Sequence, residues 1–251
     1  EMCIRDRIWE AHMKNKRLLS SYLKRKLSSQ YGDMGFSHIT LERLSGFYNP
    51  EGLTIVFARR FARYKRPTLI LRDKNRLKKI LKDQKRPVYL IFAGKAHPAD
   101  EMAQEMIKEI ISFIRENDLE NRVFFLENYD MGMARHLLWG ADVWLNTPEH
   151  EHEASGTSGI KAAMNGVLHL STHEGWWIEG YNGKNGWVIT EGRHHQNPDF
   201  RASAEATQIY NILEEEVIEL FYRTNEAGIP EEWVEMMKEA ISSVCSKFNM
   251  N

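Results

Sequence analysis

LTIVFARRFARYKRPTLILRDKNRLKKILKDQKRPVYLIF, residues 53–92, carries the pattern that decides the fold. It opens on one short apolar run, LTIVF at 53–57, and closes on another, VYLIF at 88–92; between them the apolar spacing over residues 65–82 is helical. Short runs with no polar alternation read as strands buried on both faces. Beyond this stretch the same kind of run recurs at 122–126 (RVFFL), 143–145 (VWL) and 167–171 (VLHLS), with helical patterns at 100–117, 131–139 and 158–165. Strand and helix in strict alternation imply right-handed crossovers and an α/β, doubly wound parallel sheet covered on both faces. Residues 8–31 read as one long helix whose basic run is a solvated face. Residues 202–222 and 231–248 read as two more, the last opened by Pro230 at its first turn.

The charge balance narrows the function classes. Thirty-four Lys and Arg stand against 35 Asp and Glu, a net charge of −1, so no basic excess points to nucleic acid or an anionic membrane. A 42% hydrophobic and 11% aromatic composition fills a packed core and excludes intrinsic disorder. No apolar run reaches the ~18 to 20 residues of a membrane span. Cys3 and Cys245, at opposite ends, form no metal or disulfide spacing, which fits a cytoplasmic protein. Residues 1–7, EMCIRDR, lack the apolar stretch of a secretory leader and read as translated library adapter, so they are set aside as an artefact. The helical pattern running into Phe248 without a stop signal adds to the expectation of an interior fragment. The expected organisation is a helical lead-in over 8–45, a cofactor- and phosphate-binding domain over 46–200, and carboxyl-terminal helices over 201–251.

In such sheets ligands bind beyond the carboxyl ends of the strands. After the first strand come Arg59, Arg60, Arg63, Lys65 and Arg66, five cations within eight positions at a strand-to-helix turn, where helix amides and cations together make an anion site. After the second, Gly94 permits a turn and Asp100 is placed to cap the next helix, with His97 a structural or capping histidine. The most informative loop is EHEHEASGTSGIKAAMNG, residues 149–166. Its small residues from Ala154 to Gly159 let backbone amides approach a phosphate or a sugar ring closely. Lys161 is placed on the first turn of an otherwise apolar helix, a position suited to an amine that reacts with an aldehyde cofactor. The alternating Glu and His at 149–153 do not converge in a turn and no cysteine joins them, so no metal is expected. Trp176 and Trp177 read as packing before they read as a sugar platform, and His169 and His173 as core or loop residues.

Four motifs, FARRFARYKRP, FAGKAHP, EASGTSGIK and HEGWWIEGYNGKNGW, follow one another between residues 57 and 187, within a likeness that runs from Ile8 to Phe248. Together they closely resemble the carboxyl-terminal domain of the α-glucan phosphorylases, the glycogen, starch and maltodextrin phosphorylases, in their compact bacterial branch. The resemblance implies a Rossmann-like domain, the carboxyl-terminal half of a GT-B glycosyltransferase. It implies pyridoxal 5′-phosphate carried on Lys161, with Thr157, the amides of Ser158 and Gly159, Tyr129, Arg59 and Lys65 around the cofactor phosphate. Arg59 stands where the family often has lysine, and Gly159 where it often has asparagine. Arg60 and Lys65 would hold the substrate phosphate, and Glu153, Ala154, Ser155 and Gly156 the glucose hydroxyls. The implied reaction is phosphorolysis of an α-1,4-glucan by inorganic phosphate to α-glucose 1-phosphate with retained configuration, in a parent free to be a homo-oligomer. Sugar-nucleotide relatives of the fold often carry a glutamate eight positions after the first, to bind a ribose; here that position is Lys161, which cannot accept hydroxyl protons. The residue favours a phosphorylase over a glycogen-synthase-like transferase. The remaining alternative, from another class, is a non-catalytic module that has kept the fold.

Overall fold

The computed structural model describes residues 4–33, 35, 48–193 and 195–248. Cys3 and the expected boundary at 45–46 lie outside the described residues. The elements run α1 (Ile4–Asp33), β1 (Leu53–Ala58), α2 (Lys74–Leu81), β2 (Val88–Ala93), α3 (Glu101–Glu116), β3 (Val123–Leu126), α4 (Met131–Gly140), β4 (Val143–Asn146) and α5 (Thr157–Met164). Then follow β5 (Leu168–Thr172), α6 (Trp177–Gly180), β6 (Gly186–Ile189), α7 (Pro198–Ile212), α8 (Ile218–Tyr222) and α9 (Glu231–Lys247). The six strands form one parallel sheet in the order β3-β2-β1-β4-β5-β6. This is the doubly wound, Rossmann-like arrangement, and its direction reverses between the neighbours β1 and β4.

Alternation along each strand feeds two cores. Ile55, Phe57, Leu90, Phe92, Leu145 and Leu170 face a layer built from α2, α3, α7 and α9. Val56, Ala58, Ile91, Phe124 and Trp144 face α1 and α4 through Leu19, Leu23, Met133 and Leu137. Both faces being covered explains why the strands read as unbroken apolar runs. Among the described residues no helix is long and apolar enough to cross a membrane.

Four elements differ from the sequence reading. The helix expected from residue 8 begins at Ile4, inside the residues set aside as adapter. The helix expected over 65–82 is shorter: Pro67 lies among short 3₁₀ turns at Arg63–Lys65 and Leu69–Leu71, and Asp73 starts α2 afresh by accepting the Arg76 amide at 2.9 Å. The edge strand β6 was not anticipated. The helix expected over 202–222 begins earlier, at Pro198 behind the Asn197 cap, and passes through a π turn at Leu213–Val217.

A buried polar network fixes α1 to the amino-terminal edge of the sheet. Asp142, just before β4, accepts from His12 Nε2 at 2.7 Å, Lys16 Nζ at 2.5 Å and the Thr54 amide at 2.7 Å. Lys16 Nζ also donates to the Gly52 carbonyl at 2.8 Å. Burial alone raises the Asp142 carboxyl, but the Lys16 charge and His12 outweigh it and hold it below its ordinary range.

Candidate active site

The reversal of strand order opens a crevice between the loops that follow β1 and β4, and the cationic turn and the small-residue loop meet there. The two loops are stitched together by backbone groups. The Glu149 amide donates to the Tyr64 carbonyl at 2.6 Å, and Thr147 Oγ1 donates to the carbonyls of Lys65 and Arg66 at 3.1 and 3.0 Å. Arg66 returns the contact, its Nε donating to the Thr147 carbonyl at 2.9 Å and its guanidinium pairing with Glu205. Arg66 is therefore a fastener of the loops, and the neighbouring cations are left to face the crevice.

Arg59, the first residue beyond β1, is the hub. Its guanidinium donates to Glu153 Oε2 at 2.7 Å and to Asn146, the last residue of β4, and Lys65 Nζ reaches the same Glu153 oxygen. Lys65 is buried and Arg59 nearly so; burial pulls the Arg59 guanidinium below its ordinary value while Glu153 opposes the shift. Two cations converging on one carboxylate oxygen make a place built for an oxyanion. Arg60 is exposed at the mouth. Burial alone raises Tyr64, yet hydrogen bonding and charge from Lys65, with a hydrogen bond from Arg60, hold its phenol below the ordinary value. Tyr129, after β3, is half-buried; burial raises its phenol and the charge of Arg59 opposes this. The structure thus brings Arg59, Arg60, Lys65, Tyr129 and Glu153 to one crevice.

The second wall is the turn into α5. Ala154 and Ser155 are exposed, and Gly156 adopts a left-handed conformation at φ 81° before Thr157 opens the helix. Of the amides expected to bind an anion, that of Gly159 is already donated to the Gly156 carbonyl at 3.1 Å, which closes the first turn. Gly159 serves another purpose: a Cβ there would lie 2.5 Å from the His169 ring and 2.6 Å from Trp176 Nε1, so only glycine lets α5 lie on β5. Lys161 falls in the last turn of α5, not the first, because the helix begins four residues earlier. Its side chain is exposed and, among the described residues, makes no hydrogen bond or ion pair.

Trp176 and Trp177 are buried and pack on His169, as the reading of these residues expected. Burial, with Arg59 nearby, pushes the His169 imidazole down to about 3. Asp100 caps α3 by accepting the Ala103 amide at 3.0 Å, and His97 Nδ1 accepts the Ala99 amide at 3.2 Å. Asn146, Tyr64 and Glu174 were missed by sequence reasoning; Asn146 alone carried a signal, a polar residue closing an apolar strand at its carboxyl end.

Fold and site together define a doubly wound α/β domain with two cations paired to one carboxylate at its switch point. Comparison with known proteins narrows the class: the family model "Carbohydrate phosphorylase" matches residues 7–216. The chain belongs to the carbohydrate phosphorylase family. It is 47% identical over 243 residues to a glycogen phosphorylase of Aquifex aeolicus, covering 97% of this chain and 35% of that protein. To a maltodextrin phosphorylase of Thermococcus litoralis it is 46% identical, covering 97% of this chain and 28% of the relative. A glycogen phosphorylase of Mycobacterium tuberculosis is 40% identical, with 96% and 28% covered. The chain thus spans about a third of the length of the curated relatives it matches.

Proposed function

We propose that this chain belongs to the carboxyl-terminal, cofactor- and phosphate-binding half of a cytoplasmic α-glucan phosphorylase of the GT-B type. The parent protein would cleave α-1,4-glucans with inorganic phosphate and release α-glucose 1-phosphate with retained configuration. The observation that carries this reading is the convergence of Arg59 and Lys65 on a single oxygen anion, Glu153 Oε2, beside the helix that bears Lys161. The donor set fits pyridoxal 5′-phosphate: cations and hydroxyls for a phosphate, and for an aldehyde a lysine amine that is exposed and, among the described residues, unpaired.

Lys161 would hold the aldehyde end. Thr157 and Ser158 at the helix start, where amides have no intrahelical partners, would hold the phosphate end with Arg59, Lys65 and Tyr129. When bound, the cofactor supplies a phosphate whose second pKa is near ~6, able to give and take a proton. Arg60 and Lys65 would bind the substrate phosphate and offset the repulsion between two neighbouring phosphates. Glu153 with Ala154, Ser155 and Gly156 would orient the hydroxyls of the transferred glucose. The full-length protein, supplied with maltodextrin, inorganic phosphate and cofactor, is expected to release the α-anomer of glucose 1-phosphate. Sugar transfer from a nucleotide donor with no phosphorolysis would overturn the proposal.

A further inference from the structure

Glu174 is a carboxylate buried to 5% exposure in the turn after β5, outside every motif that the proposed chemistry uses. Its Oε2 accepts the Glu151 amide at 3.0 Å, its Oε1 pairs with His150 Nδ1, and Arg193 lies 3.9 Å away. Glu151 has φ 65°, a left-handed conformation that a side chain larger than glycine or asparagine rarely adopts. The hydrogen bond from its amide holds the backbone in that shape. Two residues further on is Glu153, on which Arg59 and Lys65 converge. The turn grips this loop a second time: the Trp176 amide donates to the Ser155 carbonyl at 2.8 Å. A Cβ on Gly175 would fall 2.4 Å from that carbonyl and 3.1 Å from Glu153 Cγ. A buried acid thus bonds the strained residue of the substrate loop, and its two neighbours clamp the loop beyond.

We infer that Glu174 is a positioning residue that sets the Glu153 carboxylate through the Glu151 amide; the inference rests on the role proposed above for Glu153. In the full-length enzyme Glu174→Ala is expected to lower kcat/KM for glucose 1-phosphate about 10- to 100-fold, the scale of a small misplacement of a substrate-orienting group. Cofactor stoichiometry should not change. Glu174→Gln keeps an oxygen in reach of the Glu151 amide and should retain most activity, whereas Glu174→Asp keeps the charge but withdraws it and should lose activity as alanine does. Because Glu174 acts through Glu153, the Glu153→Ala/Glu174→Ala double variant should be no slower than Glu153→Ala alone. Losses that add, or an Asp variant more active than the Gln variant, would overturn the inference while leaving the proposed function standing. A fully active Glu153→Ala would overturn both.

Discussion

Two residues of the crevice carry sharp expectations. Arg60 is exposed and shares the Tyr64 phenol with the buried Lys65, so in the full-length enzyme Arg60→Ala should impair phosphate use more than glucan binding. Loss of one charge-assisted contact in a closed site is expected to reduce kcat/KM for phosphate by about 30- to 1,000-fold, or ~2 to 4 kcal/mol; an unchanged rate at limiting phosphate would exclude the role. His169 tests burial itself. Its imidazole stays neutral down to about 3 in the folded chain, against 6.5 when exposed, so the unfolded chain binds more protons between those values. Stability therefore falls as pH drops through that window. His169→Leu should flatten the slope of unfolding free energy against pH between 6.5 and 4 in urea titrations, and an unaltered slope would contradict this. The cations, Glu153 and Lys161 were legible in sequence because each stands in a short motif at a strand end. Glu174 was not, although it stands in HEGWWIEGYNGKNGW, because a lone acid between His173 and Gly175 shows no sign of burial until the loop it bonds is placed. Nor was the engagement of the Gly159 amide, since a helix start is fixed by backbone geometry that residue types only bias.

At the scale of elements, five apolar runs were readable because strands buried on both faces cannot alternate with polar residues. The edge strand β6 escaped because it begins with Gly186 and directly follows the polar stretch 182–185. The overlong helix at 65–82 has a local cause too: helical spacing persists across Pro67, but the chain restarts at the Asp73 cap. The docking of α1 was invisible, since Lys16 and Asp142 are 126 positions apart and nothing in either neighbourhood marks the pair. Removing one partner of a buried ion pair leaves the other uncompensated, so Lys16→Met should destabilise the chain by about 3 to 5 kcal/mol. Lys16→Met with Asp142→Asn should recover part of that loss, and hydrogen exchange should locate the damage in α1. Equal stability of Lys16→Met and the unaltered chain would show that the network does not anchor the helix.

For the whole molecule, two filled cores and a six-stranded parallel sheet among the described residues predict cooperative folding of this chain by itself. Turnover has further requirements. The transferred sugar must be enclosed and held from both sides, and charge contacts in an open crevice are weakened by water. The relatives are about three times as long, and on the function proposed above the chain alone, given cofactor, maltodextrin and phosphate, is expected to form no glucose 1-phosphate, whereas the full-length parent is expected to form it. Production by the chain at the parent's rate would refute this. Whether the Gly-rich loop and the cationic turn form a pyridoxal phosphate site is decided by labelling. The full-length protein is incubated with pyridoxal 5′-phosphate, reduced with borohydride, digested, and the modified peptide sequenced. One label per chain on Lys161, lost in Lys161→Ala, is the predicted result; a label on another lysine, or undiminished labelling of the Lys161→Ala variant, would contradict it.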